Sequence, residues 1–521
     1  MAVVTDRYVD YRLSLSLVGT VVKYLAAAPL FPVLVAIYYG ESVLPFVAAS
    51  AVMVAVGFGL EQLSPRDSEL GHREAFLLVS LSWLVIPVLG TVPYLVAGNG
   101  SVGAHTIDGV VNALFESMSG FTTTGSTVMN SISFETHSHA LLMWRQLSQW
   151  LGGMGILVLM VAILPELSVG GAQIMNEEAP GISIEKLTPR IQETARALWK
   201  IYAGFTVLAA LVYYALNVVG LAPNMGVYNA VAHALTTMPT GGFSPEGRSI
   251  EAFTPAVQWA VVPFMVVAGT NFALFWYALD GQVDRLTDNA EFRSYLGLMA
   301  GVTAVIAALL FTGLGVASAA PNIAPIPGNL ENSLRQATFQ VAAIVTTTGY
   351  ASMDFNYWHP AAQTVLLFAF FLGGSAGSAA GSIKIVRWVL VRKAMARSLF
   401  TSIHPEAVKP VRVGDEAVDE GTLRDVFVFI MIFLSLFAVS TVLLYVDSLF
   451  VDEMNLTGLE AMSVAIATLG NIGPGFGAVG PMNNFELFSA PAKLYMVFLM
   501  WIGRLEILSV LVILTPAYWR T

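Results

Sequence analysis

The sequence predicts an all-α integral membrane protein: two N-terminal helices, then four pseudo-symmetric copies of one helix–loop–helix unit around a single central axis. Three observations predict it. Of 521 residues, 56% are hydrophobic and 12% charged, whereas soluble domains carry roughly 25% charged residues. Apolar runs of about 20 residues, the length that crosses a bilayer, recur along the whole chain. A short glycine-bearing cluster appears four times, each time after a semi-polar stretch too short to cross.

A soluble core cannot absorb so much apolar surface, so a lipid-facing exterior follows from composition. The net charge of −10 carries little weight, because few charges fall in the apolar runs. There is no cysteine, which excludes disulfides, thiolate metal sites and cysteine nucleophiles. The first apolar run begins near Leu13, after Arg7 and Arg12, and Ala26–Ala28 resembles a cleavage site. The run continues to Tyr39, which is long for a signal peptide, so the segment is expected to be retained as a span.

Candidate spans are 15–39, 43–62, 74–97, 139–165, 198–220, 255–279, 292–317, 360–395, 424–447 and 490–516. Between them lie semi-polar helical stretches at 108–120, 225–238, 330–345 and 456–468, which read as the descending arms of re-entrant hairpins. With the N-terminus inside, 20 of 25 Lys and Arg residues fall on the inner side, the bias that sets orientation. Arg145, Arg248, Arg335 and Lys493 fall outside or at the outer edge, and all four hairpins then open outward. Residues 397–423 read as a cytoplasmic loop. The division that results is 1–70 for the helix pair, 71–190, 191–285 and 286–400 for three repeats, and 401–521 for the loop and a fourth repeat.

The four clusters align on one glycine each. They read Thr122-Thr123-Thr124-Gly125, Pro239-Thr240-Gly241-Gly242, Thr346-Thr347-Thr348-Gly349 and Gly470-Asn471-Ile472-Gly473, with the final glycines 117, 107 and 124 residues apart. Thirteen residues before each glycine stands an amide or acid: Asn112, Asn229, Gln336 and Glu460. One unit, helix–pore-loop–helix, therefore repeats four times. Non-helical backbone at membrane depth is tolerated only where it is buried or lines a wet cavity. Glycine frees the loop to turn its carbonyls toward a shared axis, and four such loops supply rings of oxygen that replace a cation's water shell. The predicted ligands are the backbone carbonyls of Thr124, Gly125, Gly241, Gly242, Thr348, Gly349, Ile472 and Gly473. No fixed anion is needed there, which suits a monovalent cation.

Two further features stand out. The stretch 360–395 is too long for one span and is interrupted by Gly373, Gly374, Gly377 and Gly381 with two serines, a poor helix interior. It reads either as a helix-packing seam or as an unwound, mobile loop beneath the carbonyl rings. The second reading is preferred because nothing similar is expected in the equivalent helices of the other repeats. Arg504 lies within a span, where a charge costs about 2.5–3.5 kcal/mol, so it should face a polar cavity or a partner. Glu506 is two residues away and on a different helix face.

Other motifs carry less. Gly475-Phe476-Gly477-Ala478-Val479-Gly480 spells a dinucleotide fingerprint, but it follows a pore loop rather than a strand. No GxxxxGK[ST] occurs, so ATP hydrolysis by this chain is not expected, and nothing suggests nucleic-acid binding. Glu135, His137 and His139 alternate without completing a ligand set. Glu116 and Glu460 can raise cation concentration at the mouth or hydrogen-bond the loop backbone.

The loops, together with Trp150-Leu151-Gly152-Gly153-Met154-Gly155, Ala268-Gly269-Thr270-Asn271-Phe272-Ala273, Gly373-Gly374-Ser375-Ala376-Gly377-Ser378, Gly381-Ser382-Ile383-Lys384, His404-Pro405, Pro410-Val411-Arg412-Val413 and Ile502-Gly503-Arg504-Leu505-Glu506, resemble the TrkH/KtrB/HKT superfamily of cation transporters, and most its TrkH branch. The resemblance runs over nearly the whole length. It implies potassium uptake across the cytoplasmic membrane, with Gly125, Gly242, Gly349 and Gly473 in the selectivity filter, 373–381 as a gate loop and Arg504 projecting into the pore. It also implies a homodimer bound to a cytosolic, nucleotide-binding regulator of the TrkA type. Relatives with serine at the first filter position favour sodium; Gly125 here favours potassium. The fourth loop, followed by Pro474, departs most from the Thr-rich pattern, so the filter should be asymmetric. The rival function is a symporter coupling potassium to sodium or protons. Same-direction repeats without an acidic relay favour a channel-like path, and no constellation within the spans points to an enzyme.

Overall fold

The computed structural model describes residues 9–63, 72–98, 109–162, 191–321, 323–413, 416–451 and 454–520. Arg7, Arg66, Lys186 and Arg190, which enter the charge asymmetry, lie outside them, as do the residues flanking the boundary expected at 70/71. The described chain is mostly helical, with loops between the helices and almost no strand. Strand pairing among the described residues is confined to a hairpin of Arg412–Val413 with Glu416–Ala417 and one bridge, Val316 to Trp358.

Six described helices are long and apolar enough to cross a membrane: Tyr11–Tyr39, Leu44–Glu61, Arg73–Gly98, Ala195–Val218, Ala290–Phe311 and Glu420–Ser448. They present apolar side chains outward. Along the last of them Phe427, Met431, Val439 and Val442 are all exposed, as expected of a helix whose outer solvent is lipid.

The four short helices are Gly109–Phe121, Val227–Thr237, Leu330–Val345 and Gly458–Leu469. Each begins at a chemical cap or a glycine. Asn329 accepts from the Asn332 amide at 3.1 Å, and Thr457 forms a capping box with Glu460. Each is buried along its C-terminal half and ends inside the protein at one of the Gly clusters. At 1.5 Å per residue, none of them spans a bilayer.

The helices that follow the loops correct one expectation. The helix after the first loop, His139–Ala162, is continuous. The helix after the second breaks at Gly269–Asn271 between Pro255–Ala268 and Phe272–Leu279, with a bend of 96°. The helix after the third, Pro360–Ala369, gives way to a non-helical segment before Ile385–Ile403. The helix after the fourth, Ala490–Arg504, breaks before Leu508–Ile513, where Glu506 and Ile507 take φ of 57° and 51°. Interruption is therefore shared by three of these helices and is not peculiar to 373–381. The physical reason lies in the caps: Asn271 accepts from the Ala273 amide at 2.9 Å, restarting a helix just after Gly269 has ended one.

A second correction concerns 397–423. Helix continues to Ile403, and the next begins at Glu420 behind the cap Asp419. Only the stretch between is loop and hairpin, tied back by Lys393 Nζ donating to the Arg412 carbonyl at 2.6 Å.

Candidate functional site

The four Gly clusters adopt one backbone conformation. Thr123, Thr240, Thr347 and Asn471 sit at φ of 53°, 57°, 55° and 52°, and two residues later Gly125, Gly242, Gly349 and Gly473 sit at 83°, 75°, 73° and 106°. The left-handed region costs most non-glycine residues roughly 1–2 kcal/mol, so the first position of the pair is strained in the three loops where it is threonine, while asparagine at 471 adopts it more readily. This conformation, repeated in register, marks these four loops as the candidate site.

The loops also touch in order. A Cβ added to Gly125 would lie 2.2 Å from the Gly241 oxygen, on Gly242 1.9 Å from the Thr348 oxygen, on Gly349 2.0 Å from the Ile472 oxygen, and on Gly473 2.8 Å from the Thr124 oxygen. The sequence of contacts runs from first loop to second, third, fourth and back to first. Four backbone segments thus close one ring around an axis, and the four glycines line one cleft with Ser249, Pro481 and Asn483.

Side chains hold the ring in two ways. In the first and third loops threonines do so locally. Thr122 Oγ1 donates to the Met118 carbonyl at 2.6 Å and lies 2.8 Å from Thr124 Oγ1. Thr346 repeats this with Ala342 and Thr348, both at 2.7 Å. The second and fourth loops lack that pair and are braced from elsewhere. Gln149 donates to the Gly241 carbonyl at 2.8 Å and accepts from the Phe243 amide at 3.1 Å. Asn471 Nδ2 donates to Thr124 Oγ1 and to the Met500 carbonyl, each at 2.9 Å.

Arg145, placed at the outer edge from sequence, is the cation of a fully buried ion pair. Its Nε meets Glu116 Oε1 at 2.7 Å, with the two side chains 1% and 0% exposed. Glu116 also accepts from the Val128 amide and Thr127 Oγ1 at 3.0 Å. Arg145 reaches the Ser244 carbonyl at 3.2 Å and lies 4.0 Å from the Phe243 ring. The pair thus ties the chain leaving the first loop to the chain leaving the second. Of the two roles open for Glu116, the geometry is that of backbone support. Glu460 instead accepts from the Thr457 amide at 2.7 Å, capping the start of its own helix. Sequence reasoning missed Arg145 and Gln149 as loop supports. Their signal was a cation and an amide one helical turn apart in an apolar helix.

The segment 373–381 is largely buried and is bonded to Thr347, to the break at Gly269–Phe272 and to Arg504. Gly381 N donates to Thr347 Oγ1 of the third loop at 2.8 Å. Ser375 N donates to the Gly269 carbonyl at 2.8 Å, and the Phe272 amide donates to the Gly377 carbonyl at 3.2 Å, stitching the segment to the break after the second loop. Arg504 Nη1 donates to the Ala379 carbonyl at 2.7 Å, while Nη2 reaches the Gly152 carbonyl in the helix His139–Ala162 at 3.5 Å. Glu506 pairs with Arg387 instead. Gly377 takes φ of 76°, a turn that a side chain would oppose.

The remaining motifs have local partners. His137 bonds the Ser131 carbonyl, and His139 is stacked between Tyr39 and Phe134 with Nδ1 at 2.8 Å from Glu41. Among the described residues no group of three or more His, Asp or Glu forms a metal-binding cluster. The Gly475–Gly480 segment carries a short 3-10 turn at Gly477–Val479 whose Gly477 amide donates to Asn356 Oδ1 at 2.8 Å.

The comparisons agree with this architecture. The chain is 34% identical over 515 residues to the Trk system potassium uptake protein TrkH of Salmonella typhimurium, covering 98% of this chain and 99% of that one. It is 35% identical over 453 residues to the Trk system potassium uptake protein TrkI of Halomonas elongata, covering 86% and 84%. Among solved structures, the potassium transporter TrkH from Vibrio parahaemolyticus superposes with a TM-score of 0.83 at 32% identity, covering 98% of this chain and all of that one. The family described as TrkH, cation transport protein, matches residues 44–520. With its apolar helices and its ring of four loops, this multi-pass membrane chain belongs to the TrkH family of cation transport proteins, a family of transporters rather than enzymes.

Proposed function

We propose that this chain is the ion-conducting subunit of a potassium uptake system in the cytoplasmic membrane, with its N-terminus inside. Potassium is the transported substrate and passes through one central pore. The single observation that carries this reading is the closed ring in which each loop glycine abuts the carbonyl oxygen of the next loop. Carbonyls packed in that order can replace a hydration shell without a fixed negative charge. The names of the relatives, all potassium uptake proteins or transporters, support potassium among monovalent cations.

In this reading the filter comprises Thr122–Gly125, Thr240–Gly242, Thr347–Gly349 and Asn471–Gly473, and residues 71–521 divide into four repeats around it. The segment 373–381 and Arg504 form the gate beneath. A guanidinium at that depth raises the barrier to a second cation. The working assembly is a homodimer in lipid, carrying a TrkA-type nucleotide-binding subunit on its cytosolic face.

Ion flux into liposomes tests the proposal with potassium, rubidium, sodium and lithium in turn. Potassium and rubidium should pass in preference to sodium and lithium. Equal flux of all four would remove the filter assignment. Uptake that requires a sodium or proton gradient would replace the channel-like path with a coupled symporter.

A further inference from the structure

We infer that Glu291 is the positioning residue that latches the gate loop shut. This rests on the reading of 373–381 as a gate. Glu291 lies in the first turn of the helix Ala290–Phe311, on the first arm of the third repeat, and is 3% exposed. One oxygen, Oε1, accepts from the Ala376 amide at 2.7 Å and from the Val386 amide at 3.2 Å. One of these donors lies within the glycine run and the other at the start of the next helix.

A carboxylate accepting two backbone amides is a strong and directional clamp. Here it draws together two points of a non-helical segment that glycine makes easy to unfold. Two other anchors fall between those points: Gly381 on Thr347 and Ala379 on Arg504. Arg504 holds a carbonyl and Glu291 holds amides, so the loop peptides lie between an acid on one repeat and a base on another. Backbone amides buried at this position need acceptors. Removing the carboxylate therefore favours an arrangement in which the loop leaves its seat and the amides find water.

The chain has no cysteine, which allows a single reporter thiol. Ser375 is 1% exposed, and its Oγ has no hydrogen-bond partner, so Ser375→Cys replaces an unbonded oxygen with sulfur. In that background, Glu291→Gln keeps the side-chain shape and weakens the acceptor, and Glu291→Ala removes it. Both go into liposomes beside Arg504→Ala. The readouts are rubidium flux at equal protein density, the potassium-to-sodium flux ratio, and the rate at which a membrane-impermeant thiol reagent labels the introduced thiol from the cytosolic side.

The expected result is flux and labelling both raised, by at least about tenfold for the alanine variant, the low end of what a hydrogen bond to a charged group is worth, and less for the glutamine variant. The ion ratio should stay unchanged. If Arg504→Ala raises flux and labelling while neither Glu291 variant does, the latch is overturned and the gate stands. If none of the three variants changes either readout, the gate reading falls with it. Raised flux with a lost ion ratio would assign Glu291 to the filter and overturn the latch. Glu291→Gln, being isosteric, answers the question even if the alanine variant does not fold.

Discussion

The guanidinium of Arg504 donates to the carbonyl oxygen of Ala379, 125 residues earlier in the chain, at 2.7 Å. The bond joins the end of the helix Ala490–Arg504 to the non-helical segment 373–381, and a second donation reaches Gly152 in the helix His139–Ala162. A charge that sequence marks only as costly thus has backbone dipoles for partners, with its Cζ 5.7 Å from the Trp83 ring. Arg504→Ala removes both the charge and the tether. Conductance of the purified protein should rise by at least about tenfold, the low end of what one charged hydrogen bond is worth. Single-channel recording at matched density checks this, and unchanged or lower current would exclude the role.

Gly125 is the position at which selectivity should be easiest to damage. A side chain there meets the Gly241 oxygen at 2.2 Å, and the backbone φ of 83° opposes any L residue. Gly125→Ser must move one carbonyl of the ring. Potassium-over-sodium discrimination should fall by about tenfold, equivalent to ~1.4 kcal/mol. Bi-ionic flux measurements decide it, and an intact ratio would place the filter elsewhere.

Breaking the Arg145–Glu116 pair should cost more than removing it whole. Arg145→Met leaves Glu116 buried and unpaired, at a cost of roughly 3–5 kcal/mol. Arg145→Met with Glu116→Leu should recover much of that loss. Thermal unfolding in detergent compares the variants. A double variant no more stable than the single one would mean that the amide of Val128 and the hydroxyl of Thr127 depend on the carboxylate more than on the pair.

Gln149→Leu tests bracing without a charge change. The variant loses the bonds to the Gly241 carbonyl and the Phe243 amide, about 1 kcal/mol each. A freed carbonyl in the second loop should lower ion discrimination several-fold while the melting temperature falls only slightly. Loss of folding with an unchanged ion ratio would make Gln149 a packing residue.

Acid should loosen the segment after the first loop. His137 is buried, its Nε2 bonds the Ser131 carbonyl, and its Nδ1 has no partner. Burial lowers its pKa from the ordinary 6.5 to about 4. The folded state therefore favours the neutral ring. Its contribution is complete above about pH 6.5 and is lost as pH falls toward 4. Amide exchange of residues 131–138 should be insensitive to pH-driven opening above that window and rise within it. His137→Gln should abolish the dependence.

The sequence by itself determined the class of the protein. Composition, span length and four aligned glycines follow from rules that act locally, namely the cost of polar backbone in lipid and the freedom of a residue without Cβ. The short helices were legible for the same reason, since each has a cap or glycine at one end and a Gly cluster at the other. Tertiary structure decided which carbonyl faces which glycine, that Glu116 supports the loop backbone, and that Arg504 binds Ala379 rather than Glu506. It also decided that the helix after the second loop breaks at Gly269–Asn271 and the last at Glu506–Ile507. These outcomes depend on residues far apart in the chain competing for the same buried donors and acceptors. No local pattern encodes the winner of that competition, because burial makes every such partner mandatory and only the packed helices and loops determine which one is within reach.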